Sequence, residues 1–199
     1  MTDLLIATTN PGKLREIRPI LGDLPLRLLT LGDLPAPIPE PEEDGATFAE
    51  NARIKARAYA RASGLLTVAE DSGLAVDALG GRPGIHSARY PGATYPEKFA
   101  NLWRELAPFP RPWTAHYVCA VAVARPDGTL VHECDGRVDG EIATAPSGPR
   151  GFGYDPIFFV PDYQATFGEV DDDRKAAIAH RGRAFRVLRD LLKINLNPI

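Results

Sequence analysis

The apolar run Leu4 to Thr8 passes almost at once into Asn10-Pro11 and then into Leu14, Ile17 and Leu21 at helical spacing. A short apolar run bounded by turn residues reads as a buried strand. Asn suits a helix N-cap and Pro the first helical position, because Pro lacks an N–H that would be unpaired there anyway. A buried strand feeding directly into a helix sets the chain in the mixed α/β class. Pro19 lies inside the helical stripe and is expected to kink or shorten that helix.

The rest of the chain keeps mixing the two element types. Residues 32 to 45 are rich in Pro and acid and read as a loop. Thr47 and Glu50 form a capping box ahead of an Ala- and Arg-rich run to Ala62, which Gly64 stops. Arg53, Arg57 and Arg61 make a separate stripe, expected to face solvent. Leu65 to Ala69 is expected to be a second buried strand and Leu74 to Leu79 a third, ending in the loop Gly80–Gly84. Thr94 and Glu97 form another capping box, before Phe99, Leu102, Trp103 and Leu106. His116 to Ala124 and Leu130 to Val138 flank Pro126-Asp127-Gly128 and predict a hairpin. Ile157 to Val160 predicts a short strand, and residues 171 to 193 two helical pieces. There is no internal repeat and no linker long enough to separate domains. The expectation is a mixed α+β protein with one continuous sheet system.

Composition narrows the function. A length of 199 residues allows one large domain or two small ones sharing an interface, with 44% hydrophobic and 25% charged residues as in ordinary globular proteins. The formal charge of −3 argues against a nucleic-acid or anionic-membrane partner, both of which favour a basic surface. It leaves small anionic ligands open, because a few local lysines can bind a phosphate. No apolar run approaches the ~20 residues of a membrane span, and the start of the chain has no basic region typical of a secretory signal. Cys119 and Cys134 form no CxxC and no metal-ligand cluster. They read as two buried free thiols in a reducing cytoplasm. His86, His116 and His132 show no ligand spacing and read as structural.

Four segments carry residue types that could do chemistry, and each also has a plain structural reading. Thr8-Thr9-Asn10-Pro11-Gly12-Lys13 joins a strand to a helix start, where backbone N–H groups and the helix dipole favour an anion. It lacks the GxxxxGK[ST] of a Walker loop and is equally an Asn cap beside a solvated Lys. Glu40, Glu42, Glu43 and Asp44, taken with Glu70-Asp71-Ser72-Gly73, offer hard carboxylate ligands for Mg²⁺. Asp71 is expected at the C-terminal end of a buried strand, where α/β sheets commonly place working residues. Separately these are a solvated acidic loop and a turn. In Gly148 to Pro156, Gly151 and Gly153 bracket Phe152, so that a nucleobase could stack on the ring, or the glycines simply turn the chain. Lys175, His180 and Arg181 are either a solvated basic helix or one pocket formed across a helix break. Asn51 and Lys55, four apart, share a helix face, and Lys55 could reach a phosphate.

Taken together and in order, these segments resemble the inosine-triphosphate pyrophosphatase family, the non-canonical purine nucleoside triphosphate pyrophosphatases. TTNPGK is similar to the family's N-terminal T/S-x-N-x-x-K motif, EDSGLAVDALGGRPGIHSARY to its central acidic motif and following loop, GFGYDPIFF to its base-site motif, and KAAIAHRGRA to its Lys…Ser-His-Arg motif. The similarity runs from residue 4 to about residue 192. It implies a single domain over 1–199 with two lobes, an elongated mixed central sheet flanked by helices, a nucleotide cleft between the lobes, and a homodimer. It implies Mg²⁺-dependent hydrolysis of ITP, dITP and XTP to the monophosphate and pyrophosphate, which clears deaminated purines from the nucleotide pool. Carried over by motif, Thr8, Asn10 and Lys13 would hold the triphosphate, with Thr9, Pro11 and Gly12 in the same substrate-binding turn. Glu43 and Asp71 would place the metal, Asp71 also accepting the proton of the attacking water. Ser72 and Lys55 would contact phosphates or sugar. Phe152, Gly153, Tyr154, Asp155, Lys175, His180 and Arg181 would form the base and phosphate pocket. Two departures stand out: Ala179 where the family often has Ser, and Glu70 where many members have Asp.

The chemistry suits these residues. A triphosphate with Mg²⁺ needs charge neutralisation and alignment for in-line attack, with Lys donors taking the remainder. No nucleophilic Ser or Cys is required. Donors from His180, Arg181 or backbone N–H groups would accept a 6-oxo purine, whereas adenine's amino group would leave them unpaired. Guanine shares the 6-oxo group, so rejection of GTP must depend on its 2-amino group. The rival readings are a Maf-like nucleotide pyrophosphatase and a regulatory module that binds a nucleotide without turning it over.

Overall fold

The computed structural model describes residues 2–196; Met1 and residues 197–199 of the expected single domain lie outside the described residues. Seven strands form one mixed sheet in the order β2-β1-β3-β4-β5-β6-β7. They are β1 (Thr2–Ile6), β2 (Leu26–Thr30), β3 (Leu66–Val76), β4 (Thr114–Ala124), β5 (Leu130–Ile142), β6 (Phe158–Val160) and β7 (Ala165–Thr166). The helices are α1 (Pro11–Leu21), α2 (Phe48–Ser63), α3 (Tyr95–Leu106), α4 (Asp172–Ile178) and α5 (His180–Leu196). Strand β1 runs parallel to β2 and β3, while β6 is antiparallel to β5 and β7. The expected mixed α/β class and continuous sheet are both present.

The chain forms two compact units. Unit 1 comprises Met1–Ser72, Cys119–Gly136 and His180–Ile199; unit 2 comprises Gly73–Val118 and Arg137–Ala179. In unit 1 strand alternation sorts the side chains between two cores. Leu4, Ile6, Val68, Cys119, Val121 and Val123 point to a face covered by Ile17 and Leu21 of α1 and by Phe185, Leu188 and Leu192 of α5. Leu5, Ala7, Ala69, Ala120, Ala122 and Ala124 point to the other face, covered by Ala52, Ala56, Tyr59 and Ala60 of α2. Alanine on both the sheet and the helix removes the bulk that would hold them apart, so α2 packs close. Unit 2 has its own aromatic core, in which Phe158 lies 4.6 Å from Tyr117 and 5.2 Å from Phe167 between ring centroids.

The local signals held where the physics is local. Both capping boxes form, Thr47 with Glu50 and Thr94 with Glu97, and Gly64 ends α2 at φ 70°, a left-handed conformation glycine adopts without steric cost. The hairpin forms too: the Arg125 N–H bonds the Thr129 carbonyl at 2.9 Å across a turn containing Gly128. The helical pieces near the C-terminus break at Ala179, whose ψ of 151° is extended.

Several expectations need correction. The largest concerns Glu70-Asp71-Ser72-Gly73, which is no turn: β3 runs straight through it, so Asp71 lies within a strand. Hydrogen bonding to neighbouring strands overrides the turn propensity of Ser and Gly. What does end here is the parallel pairing, whose last register pair is Ile6 with Val68. At its far end β3 stops at Val76, and Asp77–Leu79 is a 3₁₀ turn. Helix α1 reaches Leu21 despite Pro19, since burial of Leu21 holds the last turn. β2 was not expected; it is an edge strand, mostly half-buried and without alternation. The arginine stripe of α2 is not simply solvated. Arg53 pairs with Glu133, and Arg57 Nε donates to the Gly128 carbonyl at 3.3 Å. The Arg61 guanidinium packs on Gly128, where a Cβ would come within 2.5 Å of it.

Candidate active site

Because β3 is unbroken, Glu70 and Asp71 point to opposite faces of the sheet. Glu70 and Ser72 share the face of α1 and α5, and Asp71 faces α2. Two successive carboxylates therefore enter two different networks, both within unit 1.

On the α2 side, the Thr47–Glu50 box fixes where the helix starts and so where the next turn presents Asn51 and Lys55. Lys55 Nζ lies 2.8 Å from Glu43 and 3.1 Å from Asp71, and Asn51 Nδ2, at 3.3 Å, donates to the second Asp71 oxygen. The Asn51 Oδ1 in turn accepts the Gly45 N–H at 2.9 Å, which ties the acidic loop to the strand. Gly45 must be small, since a Cβ there would sit 2.6 Å from that oxygen. Glu43 and Asp71 thus converge on a single ammonium, which is how two carboxylates would address one cation. Burial pushes the Asp71 carboxyl above the ordinary range; Lys55 opposes this, and the charges of Glu70 and Glu43 add to it. Burial would discharge Lys55, but Asp71, Glu70 and Glu43 outweigh it and raise its pKa.

On the other side Glu70 is the hub. It takes Lys13 at 2.8 Å and Arg181 Nε at 3.3 Å on one oxygen, and the Cys119 thiol at 3.5 Å on the other. Burial alone would raise its pKa, yet Lys13, Arg181 and Lys55 hold it far below the usual carboxylate range. Arg181, 2% exposed, spreads its fork over three partners: Glu70, Glu16 and the Ser72 Oγ, the last at 2.8 Å. Since Ser72 accepts from Arg181, its own O–H is left to donate. Burial with Glu70 beside it pushes the Cys119 thiol well up.

The N-terminal turn is more self-satisfied than its sequence suggests. Asn10 Oδ1 accepts the N–H groups of Gly12 (2.9 Å) and Lys13 (3.2 Å), and Thr8 Oγ1 accepts that of Asn10 at 3.2 Å. The helix-end amides are thereby capped, and Lys13 supplies the charge of this segment.

Unit 2 holds the GFGYD segment and Lys175. Asp155 and Lys175 are each 3% exposed and paired at 2.6 Å, and the same Asp155 oxygen accepts the Phe152 N–H at 2.7 Å. The Lys175 ammonium also lies 4.8 Å from the Phe152 ring centroid, a cation–π approach. The half-buried Phe152 is fixed at its backbone by Asp155 and on its ring by Lys175. Gly151, at φ 72°, is required twice over, since a Cβ would meet Asp155 Oδ2 at 2.3 Å. Tyr154 is buried and donates to the Ser87 carbonyl at 3.0 Å.

The structure therefore brings Glu43, Lys55 and Asp71 into one network, Lys13, Ser72 and Arg181 into a second, and Phe152, Asp155 and Lys175 into a third. His180 opens α5 and is buried, while Thr9 and Pro11 are exposed. Sequence reasoning missed the parts played by Asn51, Glu16 and Glu70. For Asn51 a signal existed in its four-residue spacing from Lys55; for Glu16 and Glu70 it did not, since their partners come from distant elements.

Comparison with known proteins identifies relatives of the chain along nearly its whole length. A family model described as the Ham1 family matches residues 4–191. A dITP/XTP pyrophosphatase from Geobacter sulfurreducens is 47% identical, the match covering 96% of this chain and 97% of that protein. One of the same name from Nostoc sp. is 47% identical over 93% of this chain and 91% of its own length. The structure of a HAM1 protein from Coxiella burnetii superposes with a TM-score of 0.89 at 39% identity, covering 97% of this chain and 99% of that one. The chain belongs to the Ham1 family.

Proposed function

We propose that this protein is a nucleoside triphosphate pyrophosphatase that hydrolyses non-canonical purine nucleotides (ITP, dITP and XTP) to the monophosphate and pyrophosphate. The observation that carries the reading is the Glu43–Lys55–Asp71 array, with Lys55 and Asp71 buried, found in a chain whose relatives are named dITP/XTP pyrophosphatases.

The charges support a divalent cation. On the α2 side one ammonium, Lys55, meets two carboxylates, Glu43 and Asp71, so that network carries excess negative charge. Among the described residues no group of three or more His, Cys, Asp or Glu side chains could hold a metal ion. Two hard carboxylates suit Mg²⁺, which typically takes one or two and completes its shell with waters and substrate phosphates. Glu43 and Asp71 would hold it, and it would offset the triphosphate charge and help align the attack.

The chain's own residues do the rest. Asp71, buried between Lys55 and Asn51, accepts the proton of a water attacking the α-phosphorus. Lys55 and Lys13 bind phosphate oxygens as the leaving pyrophosphate gains charge. Ser72, which accepts from Arg181, donates a hydrogen bond from its O–H to a phosphate oxygen. Thr8, Thr9, Asn10, Pro11 and Gly12 shape the turn that carries Lys13, and His180 with Arg181 completes the substrate-binding set of unit 1. In unit 2 the nucleobase stacks on Phe152, which Asp155 and Lys175 hold in place, with Gly153 and Tyr154 in the same base-binding loop. The two free thiols support a reducing, cytoplasmic setting. Among the described residues no helix is long and apolar enough to cross a membrane. The family resemblance supports a homodimer, and the net negative charge disfavours a nucleic-acid partner.

Asp71→Asn tests the reading. Loss of the base should lower ITP turnover by at least about 10²- to 10⁴-fold while ITP binding persists. Wild-type turnover in that variant would remove Asp71 from the mechanism. Wild-type protein that binds ITP without hydrolysing it would favour the regulatory module instead.

A further inference from the structure

Tyr95 lies outside every motif that marks the nucleotide site, yet it stands against the base-site loop. It opens α3 behind the Thr94 cap and is 39% exposed, high for a ring so well packed underneath. Its ring meets Tyr154 edge-on at 5.4 Å and lies 6.1 Å from Phe99. The Lys98 ammonium lies 5.1 Å from the ring centroid and is itself anchored on the Ala88 carbonyl. The side chain is therefore held from below and from the side while part of its surface stays open.

What it overlooks is Gly153, the residue next to Phe152. Gly153 has φ 66°, and a Cβ built there would lie 3.5 Å from the Tyr95 hydroxyl and 3.7 Å from its ring. The glycine thus leaves its backbone bare beside the Tyr95 ring, next in sequence to Phe152. Tyr95 also senses this loop electrostatically: burial first, then the Asp155 carboxylate, raises its phenol pKa.

We propose that Tyr95 is a nucleobase-contacting residue, its ring forming a second aromatic wall of the unit 2 base site beside Phe152. This rests on the assignment of the Phe152 loop to the base. A purine has a π-face whatever its substituents, so this wall adds affinity for the base rather than discrimination between bases. A preformed ring, held by Tyr154, Phe99 and Lys98, makes the contact at little ordering cost.

The test compares Tyr95→Ala, Tyr95→Phe and Phe152→Ala in two assays: KM for ITP, and inhibition by inorganic tripolyphosphate, which has no base. Tyr95→Ala should raise the KM for ITP roughly 5- to 150-fold, the range of a lost base–aromatic stack. The tripolyphosphate inhibition constant should stay at the wild-type value, and Tyr95→Phe should behave as wild type. If Phe152→Ala raises the KM and Tyr95→Ala does not, the proposal for Tyr95 fails and the base site stands. If neither raises it, the base site itself is misplaced. An equal loss of tripolyphosphate inhibition in Tyr95→Ala would show general damage to the fold and would also overturn the proposal.

Discussion

Replacing Arg181 with Met keeps the length and apolar stem of the side chain but removes the fork that joins Glu70, Glu16 and Ser72. Removing one partner from a buried ion pair typically costs about 3–5 kcal/mol, because a charge is left without compensation. The structure places this case at the low end. Glu70 keeps Lys13 at 2.8 Å, and Glu16, with its side chain 16% exposed, can recover water. The expected loss is about 3 kcal/mol, or roughly 6–12 °C in Tm for a chain of this size. Urea unfolding followed by far-UV circular dichroism would read the loss directly. The double variant Arg181→Met, Glu70→Gln should be more stable than additivity predicts by at least about 1 kcal/mol, since it removes the stranded charge as well. The pH dependence supplies a second signature. Glu70 is depressed in the folded state, so it contributes stability above its ordinary value of 4.5, and that contribution is lost as pH falls below it. Without Arg181 the depression shrinks, and the total stability lost as pH falls below about 4.5 should become smaller. A loss under about 1 kcal/mol, or strict additivity with Glu70→Gln, would refute the view that Arg181 is held chiefly by these carboxylates.

Two further outcomes follow from close contacts and buried groups. Gly151→Ala should destabilise the protein by about 1–3 kcal/mol and raise the KM for ITP, because the added methyl meets Asp155 at 2.3 Å and strains a residue at φ 72°. Thermal unfolding together with ITP kinetics checks both effects. Cys119 is wholly buried and Cys134 half-buried, burial with Asp135 nearby pushing the Cys134 thiol up to about 11. Both should react slowly with a chromogenic disulfide at pH 8 in the native protein and at once in denaturant; immediate reaction of Cys119 in the native state would contradict its burial.

The elements legible in the sequence are those fixed by short-range chemistry. A Thr followed three residues later by Glu makes a capping box wherever the chain then turns helical, so α2 and α3 could be placed closely. β2 could not, because Leu26 to Thr30 shows no alternation and owes its conformation to a parallel partner, β1. The β3 segment misled for the opposite reason: Ser72 and Gly73 read as a turn, but pairing with neighbouring strands keeps them extended. That error had a functional consequence. A strand sends Glu70 and Asp71 to opposite faces and to different lysines, Glu70 to Lys13 and Asp71 to Lys55. Lys55 and Asp71 were expected in the site from motif resemblance; the structure pairs them with each other, and Asn51 and the Thr47–Glu50 cap hold that part of α2 against the strand. The hub at Glu70 depends on α1, β4 and α5 converging, which no local pattern records.

In the proposed reaction water attacks the α-phosphorus of a 6-oxo purine triphosphate. The most direct measurement is hydrolysis of ITP in ¹⁸O-water with Mg²⁺, with mass analysis of every product. Attack at the α-phosphorus yields inosine monophosphate and pyrophosphate in equal amounts, with the label in the monophosphate. Orthophosphate with inosine diphosphate, or label in the pyrophosphate, would contradict it.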